Sequence, residues 1–376
     1  METTVALDVD AKGFVYLTGA TGSPEFPLKN AFQTALRGAV DGFVLKMSKN
    51  GKDLVYASYI GGSGSEACTS IRADRTGAAT FGGKTTSRDF PRKNAFQKTC
   101  GGSEDGFVAK VSPDGRSLLS STYLGGSSDD RVDALAVDAS GSAILAGRTD
   151  SRNFPVKNAF QKTNGGDGDG FITVMTPAGN ALAYSSYMGG PAYDWARDVA
   201  VDADGACYVT GQTFGTFPVK SPFQKKRGGL LDAFILKVDP KKKTLVYSSY
   251  LGGVEGDYGA GIAVDGTGAA YIVGGTQSQN FPVKSPYQAS RRGTQDAFLT
   301  IVDPGGAKLI LSTFLGGIIL EIGYDVALGS NGDILVGGTT NSPDIPSAGK
   351  AYQKALAGSF DAFVLKLRQG SAAGRK

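Results

Sequence analysis

The segment Asp-(Gly/Ala)-Phe recurs six times, opening at Asp41, Asp105, Asp169, Asp232, Asp296 and Asp361, with spacings of 64, 64, 63, 64 and 65 residues. A period of that size, held across a chain of 376 residues, sets the architecture before any single side chain is weighed. Each period holds four runs of strand length. The first is Val5–Asp10, Ser70–Asp74, Ala134–Asp138, Asp198–Asp202 and Gly261–Asp265; the second is Phe14–Gly19, Ala143–Gly147, Ala206–Gly211 and Ala269–Gly274. The third opens with the recurring Asp, as in Asp41–Met47 and Asp232–Val238. The fourth is rich in Tyr and ends in Gly-Gly: Leu54–Gly62, Leu118–Gly126, Ala183–Gly190, Leu245–Gly253 and Leu309–Gly317. All are β-branched or aromatic in character and none keeps a helical period.

Runs one and two are joined by Asp-x-x-Gly, at Asp10–Gly13, Asp74–Gly77, Asp138–Gly141, Asp202–Gly205 and Asp265–Gly268. Asp opens such a turn because its carboxylate can bond the amide two residues on, and Gly closes it because it tolerates positive φ. The sixth copy, Gly329–Gly332, keeps only the Gly. The 55 glycines therefore read as turn positions of an all-β chain. Four strands per unit and six units predict an all-β, six-bladed β-propeller spanning 1–370 as a single domain, with a polar tail at 371–376. The blades are expected at about 1–62, 63–126, 127–190, 191–253, 254–317 and 318–370. After Asp361–Leu367 no fourth run follows, so the last blade is expected to lack its outer strand. An open edge invites pairing, and a strand from a missing flanking segment or a strand-complementing partner is expected there.

Asp-Ala-Phe-Val/Ile-Leu-Lys, Leu-Val-Tyr-Ser-Ser-Tyr-Leu-Gly-Gly, Ile-Ala-Val-Asp-x-x-Gly-x-x-Tyr and Phe-Pro-Val-Lys-x-x-Phe-Gln together resemble the SBBP family of bacterial β-propeller repeats. The resemblance covers nearly the whole chain. It implies a propeller, secreted or in the cell envelope, often beside other modules, and it implies no catalytic residues. The N-terminus shows no secretory signal: Met1 is followed by Glu2 and a strand-like run. The chain is thus expected to be cytoplasmic, or to have had a leader replaced by a start Met. No run approaches the roughly 18 apolar residues of a membrane span. A mild net charge of +4, mixed in sign, argues against a nucleic-acid binder.

Three rings of repeated side chains are candidates for function. Eight residues before each turn position, in the expected link between strands four and one, stands a carboxylate: Glu2, Glu66, Asp130, Asp194, Asp257 and Glu321. On a propeller face such a ring suits a hard cation such as Ca2+, or attraction of cationic ligands; the competing reading is that each carboxylate bonds backbone amides and locks blade to blade. The recurring Asp of strand three, never replaced by Glu, suggests a fixed local hydrogen bond. The long link between runs two and three reads Phe-Pro-x-Lys-x-x-Phe/Tyr-Gln. Its Phe and Gln residues suit loop packing, while Lys93, Lys157 and Lys220, with Lys29 and Lys284, suit either anionic groups or solvated charge. Departures from the repeat add Tyr193, Asp194, Trp195 and Arg197, with Arg131 and Tyr258. Aromatics beside Arg and carboxylates suit a glycan or protein ligand, or packing between blades.

The chain has no His, which excludes Ser-His-Asp, Cys-His and His-ligated metal chemistry. Its three cysteines fit no zinc site, and Cys68 and Cys100 share a repeat, which leaves a bridge between them open. The carboxylates recur in every unit, whereas catalysis needs one asymmetric constellation. A non-enzymatic binding or scaffold propeller, without a cofactor, is the first reading. A purely architectural module of an envelope assembly and a polysaccharide lyase or hydrolase acting through carboxylates are the alternatives.

Overall fold

The computed structural model describes residues 2–346, 351–353 and 355–368, the side chains of Glu2 and Thr4 excepted. These residues form six antiparallel sheets and no helix. Sheet one comprises Glu2–Val9, Val15–Thr21, Asp41–Met47 and Leu54–Ile60; sheet two comprises Glu66–Ala73, Ala79–Thr85, Asp105–Val111 and Leu118–Leu124. Sheet three follows with Asp130–Val137, Ala143–Thr149, Asp169–Met175 and Leu182–Met188, and sheet four with Asp194–Val201, Cys207–Thr213, Asp232–Asp239 and Thr244–Leu251. Sheet five is Asp257–Val264, Ala270–Thr276, Asp296–Val302 and Leu309–Leu315. Sheet six holds Glu321–Leu328, Asp333–Thr340 and Asp361–Arg368. Every sheet is a meander in chain order, four-stranded except the sixth, which has three strands among the described residues. The all-β propeller architecture read from the repeat is thus present.

The hairpins form for the reasons their sequence suggests. Asp10 Oδ1 accepts from the amides of Lys12 and Phe14, and Gly13 takes φ +84°. Asp74, Asp138 and Asp265 make the same bonds in their own turns.

One expectation is corrected. The sequence reading puts the ring carboxylates in the link between strands four and one, but Glu66, Asp130, Asp194, Asp257 and Glu321 are each the first residue of strand one. A bulge is responsible. Pairing with strand two shifts register between Cys68 and Ser70 and again between Gly259 and Gly261, so that the strand extends past the irregularity to the carboxylate. The bulge brings backbone against strand two, where only Gly fits. A Cβ on Gly83 would lie 1.9 Å from the Ala67 oxygen, and one on Gly147 2.0 Å from that of Arg131.

The chain divides into two compact units. The first holds residues up to Ala196, with Ala203–Cys207 and Asp239–Thr244; the second holds the remaining described residues. In the first unit, consecutive sheets pack face to face. Val44 and Tyr56 of sheet one meet Ile71, Phe81 and Phe107 of sheet two, and Val108 and Leu124 of sheet two meet Leu135, Leu145 and Phe171 of sheet three. In the second unit, Leu299, Leu311 and Leu315 of sheet five meet Val326, Val336 and Phe363 of sheet six. Each such fully buried side chain contributes roughly 1.5–3 kcal/mol. Cys68 and Cys207 are buried, Cys100 half-buried, and all three are free thiols, so Cys68 and Cys100 are not bridged.

Candidate functional site

The repeated carboxylates come together in pairs, the Asp of strand three in one blade with the carboxylate that opens strand one of the next. The Asp that opens strand three receives the preceding loop. Asp41 accepts from the amides of Arg37 and Gly38 and from Gln33 Nε2, and Asp105 from Gly101, Gly102 and Gln97. The same Gln turns its Oε1 to the first glycine after strand four: Gly61, Gly125, Gly189, Gly252 and Gly316 each donate to it at 3.1 Å. The second glycine donates to the ring carboxylate, Gly62 to Glu66, Gly126 to Asp130, Gly190 to Asp194, Gly253 to Asp257 and Gly317 to Glu321. Hydroxyls complete the corner: Thr85 on Glu66, Ser151 on Asp130, Ser278 on Asp257 and Thr340 on Glu321.

Two carboxylates therefore face each other across one glycine. A Cβ on Gly125 would lie 2.7 Å from Asp105 Cγ and 2.8 Å from Asp130 Oδ2. Burial, reinforced by the neighbouring Asp105, pushes Asp130 up to about 7, and burial with Asp232 pushes Asp257 up to about 6. Burial also raises Asp169, to about 6, and Glu66. These ring members are at most 2 % exposed, and one oxygen of each is engaged by the second glycine that ends the preceding blade. Among the described residues no three His, Cys, Asp or Glu side chains gather as a metal would need. The carboxylate of Glu2, the sixth position in the ring, lies outside the described residues.

The lysines of the long loop take another place. The backbones of Lys29, Lys93, Lys157, Lys220 and Lys284 pair with Ala57, Ser121, Ser185, Ser248 and Ser312, so the loop clamps the free edge of strand four. The ammonium groups of Lys157 and Lys220 donate to the carbonyls of Leu182 and Leu245, each at 2.6 Å. Strand four and strand one are opposite edges of a sheet. The lysines are therefore not brought to the aromatic residues that open strand one.

Those aromatics sit beside the ring carboxylate, where the repeat varies. The residue after the ring carboxylate is Thr3, Ala67, Arg131, Trp195, Tyr258 or Ile322. Its neighbours across the hairpin include Ala20, Lys84, Arg148, Gly275 and Thr339, paired with Thr3, Ala67, Arg131, Tyr258 and Ile322. In the first unit this produces a cluster. The Arg131 guanidinium lies 4.9 Å from the Trp195 ring centroid and 2.5 Å from Asp133, to which Trp195 Nε1 donates at 2.7 Å. Beside it, Arg148 lies 5.0 Å from the Tyr193 ring centroid, bonds the Tyr193 hydroxyl and pairs with Asp150 at 2.9 Å. Two arginines opposite each other in one hairpin are tolerated because each has its own carboxylate. Burial raises the Tyr193 phenol above its ordinary value.

Of the ligand candidates, Arg131, Tyr193 and Trp195 are thus gathered, and Asp194 is held in the buried corner. Arg197 and Tyr258 belong to the second unit, where Arg197 donates to Gln212 and Tyr258 accepts from Gln295 Nε2 at 2.9 Å. Arg148, Asp133 and Asp150 were not singled out from sequence. The signal was available for Arg148, which fills the varied slot between a repeated Gly and Thr.

Residues 246–282 match the family model of the SBBP β-propeller repeat. The chain carries an SBBP β-propeller repeat. The matched segment runs from the fourth strand of blade four through strands one and two of blade five, into the Phe281–Pro282 loop. No curated protein matches the chain in sequence. Among solved structures, a luciferin-regenerating enzyme is similar over 98 % of this chain and 91 % of its own, at 11 % identity and TM-score 0.42. A europium-containing methanol dehydrogenase is similar over 89 % of this chain and 64 % of its own, at 12 % identity and TM-score 0.44. The NanB sialidase of Streptococcus pneumoniae is similar over 90 % and 65 %, at 11 % identity and TM-score 0.46. Likenesses this distant carry no argument about what the SBBP-repeat chain does.

Proposed function

We propose that this chain is a non-enzymatic recognition propeller, and that it reads a glycan through the side chains that open strand one of each blade. One observation carries the reading: the repeat holds its corner of Asp, Gln, Gly-Gly and carboxylate while varying the cross-strand pair beside it, as Thr3–Ala20, Ala67–Lys84, Arg131–Arg148, Tyr258–Gly275 and Ile322–Thr339. Identity is needed where backbone groups are satisfied inside the protein; variation beside it is how a repeated scaffold acquires a chemically distinct surface. The Arg131–Trp195 and Arg148–Tyr193 pairs offer what sugars bind, an aromatic edge beside charged donors and acceptors. The same geometry speaks for binding over lyase or hydrolase chemistry, because the paired carboxylates are buried and engaged by amides and hydroxyls.

The test is a glycan array probed with the wild type and with Trp195→Ala and Arg131→Ala. Binding to an acidic or neutral glycan that falls about tenfold or more in both variants supports the reading. Binding that both variants leave unchanged sinks it.

A further inference from the structure

Among the described residues, blade six keeps the receiving surface of a fourth strand without the strand. In the complete blades that strand makes the same contacts each time. An aromatic ring sits opposite the Phe of strand three, as in Phe43↔Tyr59, Phe107↔Tyr123, Phe171↔Tyr187 and Phe298↔Phe314. It packs on the loop Phe, at 5.5 Å for Phe26–Tyr59 and 5.8 Å for Phe90–Tyr123. The preceding Ser or Thr hydroxyl accepts from the amide of the loop Gln, and the following Gly donates to that Gln's Oε1.

Sheet six has the counterparts. Phe363 stands opposite Gly338, and Asp361–Arg368 pairs with Asp333–Thr340 along its whole length. Gln353 Nε2 donates to Ala355 O at 2.9 Å and to Asp361 Oδ2 at 2.6 Å, the pair of bonds that Gln33, Gln97, Gln161, Gln224 and Gln288 make in their blades. The loop is therefore set for a strand. A cavity of about 930 Å3 opens there, lined among others by Phe314, Ile345, Pro346, Gln353, Phe363 and Leu365. Ile345 and Phe363 are the counterparts of Phe26 and Phe43, against which Tyr59 packs in blade one. Asp361 is only half-buried, whereas Asp41, Asp105, Asp169, Asp232 and Asp296 are fully buried. No described residue pairs with the second edge of Asp361–Arg368.

We propose that this edge and cavity dock an extended segment of a partner polypeptide, antiparallel to Asp361–Arg368 and carrying Ser/Thr-aromatic-Leu/Ile/Met-Gly-Gly, the run shared by Ser58–Gly62, Thr122–Gly126, Ser186–Gly190, Ser249–Gly253 and Thr313–Gly317. Main-chain bonds along Ala362–Leu367 hold it and its aromatic enters the cavity opposite Phe363, so affinity and selectivity have separate sources. The five complete blades define the occupant, since each fills the same surface with that pattern. A second copy of the chain is a poor donor. Its own five such strands are already paired with strand three, and the loop at Lys29, Lys93, Lys157, Lys220 and Lys284 clamps their other edge.

The probe is a synthetic peptide with the sequence of residues 245–253, Leu-Val-Tyr-Ser-Ser-Tyr-Leu-Gly-Gly, extended by lysines for solubility and titrated against the full chain. Saturable one-to-one binding is expected, together with slowed hydrogen exchange at the amides of residues 361–367. A peptide with its second Tyr replaced by Asp should bind at least about tenfold more weakly. Absence of binding, equal binding of a scrambled peptide, or protection confined to other strands overturns the proposal. So does a dimer, seen by sedimentation without peptide, that already protects 361–367. Because the decisive changes are made in the peptide, misfolding of a protein variant cannot mimic the result.

Discussion

The corner around Asp105, Gln97 and Asp130 and the pair Arg131–Arg148 adjoin along one strand, yet they obey different rules. At the corner, every polar atom that strand four brings inside must find a partner, and the space is so tight that a methyl group would collide. One solution recurs in each complete blade. At the cross-strand pair one residue on, side chains are half-buried and satisfy one another, so the blades differ freely. The contrast separates what the repeat must keep from what it can spend on recognition.

The comparison is most easily broken at the glycine. Gly125→Ala should destabilise the chain by about 3 kcal/mol in urea unfolding, because neither Asp105 nor Asp130 can move without losing its amides. A cost below about 1 kcal/mol would mean the corner is slack. Asp130→Ala leaves the Gly126 amide and the Ser151 hydroxyl buried without an acceptor, and should cost about 2–3 kcal/mol, with Asp130→Asn costing less.

A pH series sharpens the same contrast. Asp130 at about 7, with Asp169 and Asp257 at about 6, lies above the roughly 3.9 of an unfolded Asp, so the folded state holds more protons between those values. Stability should therefore fall as pH rises from about 4 to 7, and Asp130→Asn should flatten the slope. A wild-type urea midpoint that climbs from pH 5 to pH 8 would contradict the pairing.

The smallest expected effect lies at the varied position. Arg131→Ala removes one cation–π contact and one partly exposed ion pair, and should change stability by about 1 kcal/mol or less while changing ligand binding. A stability loss as large as that of Asp130→Ala would move Arg131 from the reading surface into the frame.

Much of this was legible from the period alone. Aligning on Asp41 and its copies exposes the Asp-x-x-Gly turns, the Gln of the long loop and the open sixth blade, because each follows from local chain geometry. The meeting of Asp105 with Asp130 across Gly125 was not legible. It depends on a bulge that carries Asp130 into strand one and on a loop that folds back through Gln97. The grouping of Trp195 with Arg131 and Asp133 was hidden for a related reason. Those residues lie on neighbouring blades, and only the packing of one sheet on the next brings positions 62 residues apart into contact.

The clamp that the long loop places on strand four has a consequence for how such a chain can grow. In the complete blades of the repeat, the outer edge of strand four is bridged at its middle by its own unit, through Lys29 or its counterpart. A blade added by duplication brings that bridge with it, so its own loop interrupts the edge that another chain would pair with. Length can therefore be gained one unit at a time with little risk of fibrous association.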